Sequence, residues 1–139
     1  NQKEKFKCII VPELGNIIAL LESNNLIVYG LLENHKLCSC YIFKNSMVNY
    51  KDGRSIDFIG SITNVCFLEI FYIGFCNSVH KICKQLNTTQ IVYEMISDNK
   101  LIYDKYFSFM HNTFVSPTAY YFYNYRLRPI DSTNVFVIC

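Results

Sequence analysis

Cys66-Phe-Leu-Glu-Ile-Phe-Tyr-Ile-Gly-Phe-Cys-Asn-Ser-Val-His-Lys-Ile-Cys-Lys-Gln-Leu86, broken by Asn87-Thr-Thr-Gln90 and followed by Ile91-Val-Tyr-Glu-Met-Ile96, decides the fold class. Phe71, Phe75, Val79, Ile82 and Leu86 recur every three or four residues, with Lys81, Lys84 and Gln85 opposite, which is the pattern of an amphipathic helix. Ile91 to Ile96 reads as a short strand, and Ser55 to Thr63 as another upstream. A helix between them supplies the crossover that parallel neighbours need, and such crossovers are right-handed. The chain is therefore α/β.

Upstream, Pro12 sits near the first turn of a helix carrying Leu14, Ile17, Ile18 and Leu21 at helical spacing, ended by Ser23-Asn24-Asn25. Leu26 to Leu32 and Leu37 to Phe43 are β-rich runs joined by Glu33-Asn34-His35-Lys36, so they form an antiparallel hairpin. Asn49 to Arg54, with Asp52-Gly53, turns the chain into the strand at Ser55. Downstream, Ser97-Asp98-Asn99 caps a short helix with Leu101, Ile102, Tyr106 and Phe107. His111 to Pro117 is an irregular loop, and Ala119 to Arg126 and Thr133 to Cys139 are the last two strands. The order β-β-β-α-β-α-β-β matches an N-acetyltransferase-type (GNAT-like) acyl-CoA N-acyltransferase fold, a mixed, mainly antiparallel sheet flanked by helices; order alone leaves other α/β folds open.

Residues 1–139 make one domain, long enough to bury roughly 68 to 70% of the surface its unfolded chain exposes. Hydrophobic residues are 51% and charged residues only 17%, so a substantial core is expected, and with it a surface suited to a partner. The net charge of +2 is spread thinly, with Lys3, Lys5 and Lys7 as the only loose cluster, which argues against nucleic acid as a partner. Cys8, Cys38, Cys40, Cys66, Cys76, Cys83 and Cys139 show no disulfide framework and mostly lie in apolar runs, as reduced core thiols do. With no signal peptide at Asn1-Gln-Lys-Glu-Lys5, a cytoplasmic location is expected. Val65 to Cys76 is too short for the ~20 apolar residues of a membrane helix, so the chain is not transmembrane. The first residue is Asn, so a segment upstream is expected. Heavy use of Asn, Ile, Lys, Tyr and Phe points to an AT-rich source, as in protists or large DNA viruses.

The chain closes on Tyr120-Tyr-Phe-Tyr-Asn-Tyr125 and Val135-Phe-Val-Ile-Cys139. These resemble the Tyr-Tyr-Leu-Tyr-Asn-Trp signature and short apolar chain end of N-myristoyltransferases. Cys40-Tyr-Ile-Phe43 and Ile59-Gly-Ser-Ile-Thr63 resemble two earlier strands of that family's C-terminal half, so the resemblance covers about residues 26–139. Val92 to Asn99 corresponds to the family's Asn-Ala-Leu-Asp-Leu-Met-Glu-Asn stretch, keeping the final Asn and, loosely, the acid before it.

What the resemblance implies is transfer of myristate from myristoyl-CoA, a co-substrate, to the amine of an N-terminal-glycine peptide or protein, with no bound cofactor. The terminal carboxylate, here that of Cys139, would be the base. An α-ammonium has a pKa near ~8, so a nearby shielded carboxylate suffices to accept its proton. By the same resemblance Ser61 would face the peptide groove. Alternation puts Tyr121 and Tyr123 on one strand face with Tyr125, as candidates to bind substrate, and leaves open which face is core. The family's acyl-CoA pocket belongs to its N-terminal half, so an acyl-CoA-binding half-domain upstream is an implied partner. Where the family has Gly-Asp-Gly this chain has Phe114-Val115-Ser116, which removes an acidic peptide contact. The rival reading is a non-catalytic interaction or structural domain that kept the fold.

Cys76, His80 and Cys83 would share a helix face, but structural zinc sites recruit a fourth ligand and favour turns, so no metal is expected. No Ser-His-Asp, phosphate-loop or dinucleotide pattern is present.

Overall fold

The computed structural model describes residues 5–51, 53–108, 116 and 128–138. Strand β1 (Cys8–Ile10) leads to helix α1 (Leu14–Glu22), then to strands β2 (Leu26–Glu33), β3 (Lys36–Lys44), β4 (Asn49–Tyr50) and β5 (Gly53–Thr63). Helix α2 (Leu68–Leu86) crosses over to β6 (Thr88–Tyr93), α3 (Asn99–Ile102) runs into a π-helical turn at Tyr103–Phe107, and a 3₁₀ turn at Ser132–Asn134 precedes β7 (Val135–Val137).

Turn chemistry sets the boundaries. Asn34 and His35 both take positive φ, 49° and 62°, the left-handed pair that closes a two-residue hairpin, so β2 and β3 run to Glu33 and Lys36. Asn87, at φ 51°, ends α2 in the left-handed conformation and sends the chain straight into β6. That strand therefore starts at Thr88, three residues before the Ile91 expected from apolarity, and stops at Tyr93.

Strand order is β2-β3-β5-β4, with β6 parallel to β5. Ile42 pairs with Gly60 but Phe43 with Phe58, so Ile59 is an extra residue and β5 carries a bulge there. The sheet separates two cores. Tyr41, Phe43, Ile56 and Phe58 pack under Phe71, Phe75 and Ile82 of α2 and Ile102 of α3, whereas Ile42 and Ile59 pack on the opposite side with Phe6, Leu26 and Phe136. A strand buried on both faces needs an unbroken apolar run, which Tyr41-Ile42-Phe43 supplies.

Two expectations change. Helix α1 meets the second core through Ile17 and Leu20, leaving Leu14, Ile18 and Leu21 exposed, one step round from the face inferred from spacing. The closing strand pairs in parallel with β1, Cys8 opposite Val135 and Ile10 opposite Val137. Asp131 shortens it at the start: its carboxylate accepts from the Thr133 amide and hydroxyl, and those bonds hold its pKa below the ordinary value. The expected strand at Ala119–Arg126 lies outside the described residues.

Helix α2 comes close to the sheet at Gly74, where an added Cβ would lie 2.3 Å from the Tyr41 hydroxyl oxygen. That hydroxyl donates to the Phe71 carbonyl at 2.7 Å, and the ring stacks on Phe71 with centroids 5.3 Å apart. The ring is buried and has no room to retreat. Gly74→Ala is therefore expected to cost about 1–3 kcal/mol through overpacking, outweighing the ~1 kcal/mol of helix propensity that alanine brings. Urea titration checks this, and the cost should shrink in a Tyr41→Phe background because the two sites couple.

Candidate functional site

Parallel strands β5 and β6 stay paired from Arg54 and Thr88 to Phe58 and Tyr93, then separate where the bulge bends β5. Strand β5 runs on to Thr63, still paired with β3 on its other edge but without β6, leaving a split at the carboxyl ends of two parallel strands. In open α/β sheets ligands enter such crevices, and phosphates sit at the N-terminus of the helix that follows. This split and the start of α2 are thus the candidate site.

The split is filled by the chain itself. Beyond Phe58, whose carbonyl accepts from the Glu94 amide at 3.2 Å, the turn Ser97-Asp98-Asn99 takes the place of β6. The Ser97 hydroxyl donates to the Ser61 carbonyl at 2.9 Å, and the Asp98 amide reaches the same oxygen at 3.3 Å. The Thr63 amide donates to Asp98 Oδ2 at 2.7 Å. Lys5 Nζ donates to the Thr63 carbonyl at 2.9 Å and pairs with Asp98 Oδ2. Asp98 was expected to cap α3, yet no side-chain cap bond forms there, because its carboxylate is spent on β5 and Lys5.

Next to this clasp lies a buried network. Ser61 is fully buried, and its hydroxyl donates to Asn99 Oδ1 at 2.7 Å. Asn99 Nδ2 donates to the Glu94 carbonyl at 2.8 Å, and the Tyr93 hydroxyl donates to the Asn99 carbonyl. Burial pushes the Tyr93 phenol well above its ordinary pKa, so it stays a neutral donor. Burial likewise raises the Cys40 thiol. Ser61 therefore fastens β5 to α3 from the interior.

At the start of α2 the Glu69 carboxylate already takes the nearby cation, Lys105 Nζ, at 3.1 Å. The loop Asn64-Val65-Cys66-Phe67 holds no glycine and no cation, Glu69 occupies the first turn, and Phe67 is 74% exposed. An acyl-CoA brings a pyrophosphate that wants backbone amides without a neighbouring acid. These residues do not fit it.

Tyr121, Tyr123 and Cys139 lie outside the described residues. Pairing nonetheless runs to their border, since the Ile138 amide donates to the Ile10 carbonyl at 2.9 Å. Among the described residues no three His, Cys, Asp or Glu side chains gather as metal ligands, and no helix is long and apolar enough to cross a membrane. Lys5, Asp98 and Asn99 were not singled out as a site by sequence reasoning. The one signal was the resemblance around Val92–Asn99, which retained the acid and the final Asn.

No protein-family model and no curated protein matches the chain. Solved structures do resemble it. An acetyltransferase from Clostridium acetobutylicum, solved with acetyl-CoA, superposes with a TM-score of 0.56 at 15% identity, covering 78% of this chain and 79% of that one. An aminoglycoside acetyltransferase from an uncultured soil metagenomic sample, in complex with sisomicin, gives 0.63 at 12% identity over 90% and 82%. A ribosomal-protein-alanine N-acetyltransferase from Brucella melitensis gives 0.57 at 11% over 79% and 82%. The fold is the GNAT N-acyltransferase fold. Identities this low carry the fold alone.

If Asn99 ties β5 to α3, Asn99→Ala strands the Ser61 hydroxyl and the Glu94 carbonyl. Each buried orphan costs about 1–3 kcal/mol, so thermal unfolding should show a drop of several degrees or more.

Proposed function

We propose that this GNAT-fold chain is the acceptor side of an N-acyltransferase that moves a myristoyl group from its CoA thioester to the amine of an N-terminal glycine. The observation that carries the reading is a GNAT fold whose own split is filled and whose helix start follows a glycine-free loop, with its nearby Lys105 paired to Glu69. An acyl-transfer domain built this way takes its donor from elsewhere, which agrees with an acyl-CoA-binding half-domain as partner. The resemblance at Tyr120–Tyr125 and Val135–Cys139 supports glycine amines as acceptors and myristoyl-CoA as donor.

In this reading the Cys139 carboxylate takes a proton from the glycine ammonium, and the freed amine attacks the thioester carbonyl. A C–N bond forms, the C–S bond breaks, and the CoA thiolate leaves and is protonated. Tyr121 and Tyr123 would line the peptide path, while Ser61, being buried, would act by holding β5 and not by touching peptide. The filled split also favours a second reading, a binding domain that kept the fold and lost the chemistry.

Mass spectrometry of glycine-initiated peptides incubated with myristoyl-CoA and the longest native polypeptide ending at Cys139 separates the two. Acyl transfer predicts a gain of one myristoyl group on glycine amines; no gain from folded protein favours the binding domain. Adding one glycine after Cys139 should move the carboxylate and cut turnover by about 10²–10⁴-fold with little change in stability, whereas unchanged turnover would remove Cys139 from the mechanism.

A further inference from the structure

We infer that Lys5, Ser97 and Asp98 form a permanent internal occupant of the β5–β6 split, so that no acyl-CoA arm pairs with the edge of β5 in this domain. The inference deepens the acceptor-side reading and rests on it only in naming a CoA thioester as the excluded ligand.

The bulge at Ile59 leaves the β5 edge beyond Phe58 without β6, and buried backbone donors and acceptors there need partners. An amide-bearing arm is one chemical solution, since it offers a carbonyl to the Thr63 amide and an N–H to the Ser61 carbonyl. The chain supplies the same functions from within. Asp98 Oδ2 is the acceptor for Thr63, and the Ser97 hydroxyl and Asp98 amide are the donors for Ser61. Lys5 adds a cation that neutralises the carboxylate and also bonds the Thr63 carbonyl. The Asp98 side chain is 11% exposed and that of Lys5 33%, so Lys5 closes the clasp from the solvent side.

A ligand entering here would strip Asp98 of the Thr63 amide and of Lys5, leaving a buried carboxylate unpaired. Breaking such a pair weakens binding by a factor of roughly 10²–10³. At the start of α2 a pyrophosphate would have to compete with Glu69 for Lys105, whose Nζ is already paired with the Glu69 carboxylate at 3.1 Å. Burial and geometry thus act in the same direction.

Hydrogen exchange on the native polypeptide, with and without millimolar acetyl-CoA or myristoyl-CoA, tests this. The Thr63 and Asp98 amides should exchange at rates unchanged within about twofold on adding either thioester, whether or not it binds on another surface. Without ligand, Asp98→Ala should speed exchange at Thr63 by about tenfold or more, and Asp98→Leu, which also has no acceptor, serves if the alanine variant does not fold. Tenfold faster exchange at Asp98 on adding a thioester, as its amide loses the Ser61 carbonyl, would overturn the inference, as would an Asp98 variant without a side-chain acceptor that leaves Thr63 unchanged. The peptide assay is read separately: absent transfer with an undisturbed clasp defeats acyl transfer alone, and transfer with a thioester footprint on Asp98 defeats the clasp alone.

Discussion

Strand β5 has to satisfy two different neighbours along one edge. Up to Phe58 it pairs with β6, and after the bulge at Ile59 it meets no strand, yet its residues remain buried between two apolar layers. Backbone groups in that position cannot be left to water. The turn Ser97-Asp98-Asn99 and Lys5 meet the requirement, and this one constraint fixes where α3 begins, how the N-terminal segment is anchored and why Ser61 is inside.

The same constraint explains how the functional reading is divided. A GNAT fold offers a split between parallel strands, and here that split has become part of the core. The Ser61–Asn99 network and the Lys5–Asp98 pair tie its two sides together.

Much of the architecture was legible in the sequence because it rests on periodicity. The spacing of Phe71, Phe75 and Ile82 gave α2, and the runs around Val28 and Ile42 gave the first hairpin. Boundaries set by left-handed residues were less legible: the position of Asn87 moved β6 forward to Thr88. Strand β1 escaped notice because three residues, Cys8 to Ile10, carry too little pattern. The clasp could not be read locally, since Lys5 and Asp98 are 93 residues apart and Ser97-Asp98-Asn99 looks like an ordinary helix cap. The bulge at Ile59, which turns Ser61 toward α3, likewise leaves no local mark in the sequence.

The central claim is that the split of this GNAT fold is closed and that any thioester donor is held on another surface. A crystal structure of the native polypeptide with a non-reactive thioether analogue of myristoyl-CoA and a glycine-initiated peptide tests it most directly. The account predicts Lys5 on Asp98, Asp98 on the Thr63 amide, and the analogue outside the split. An analogue arm bonded to Ser61 and Thr63, with Lys5 displaced, would contradict it.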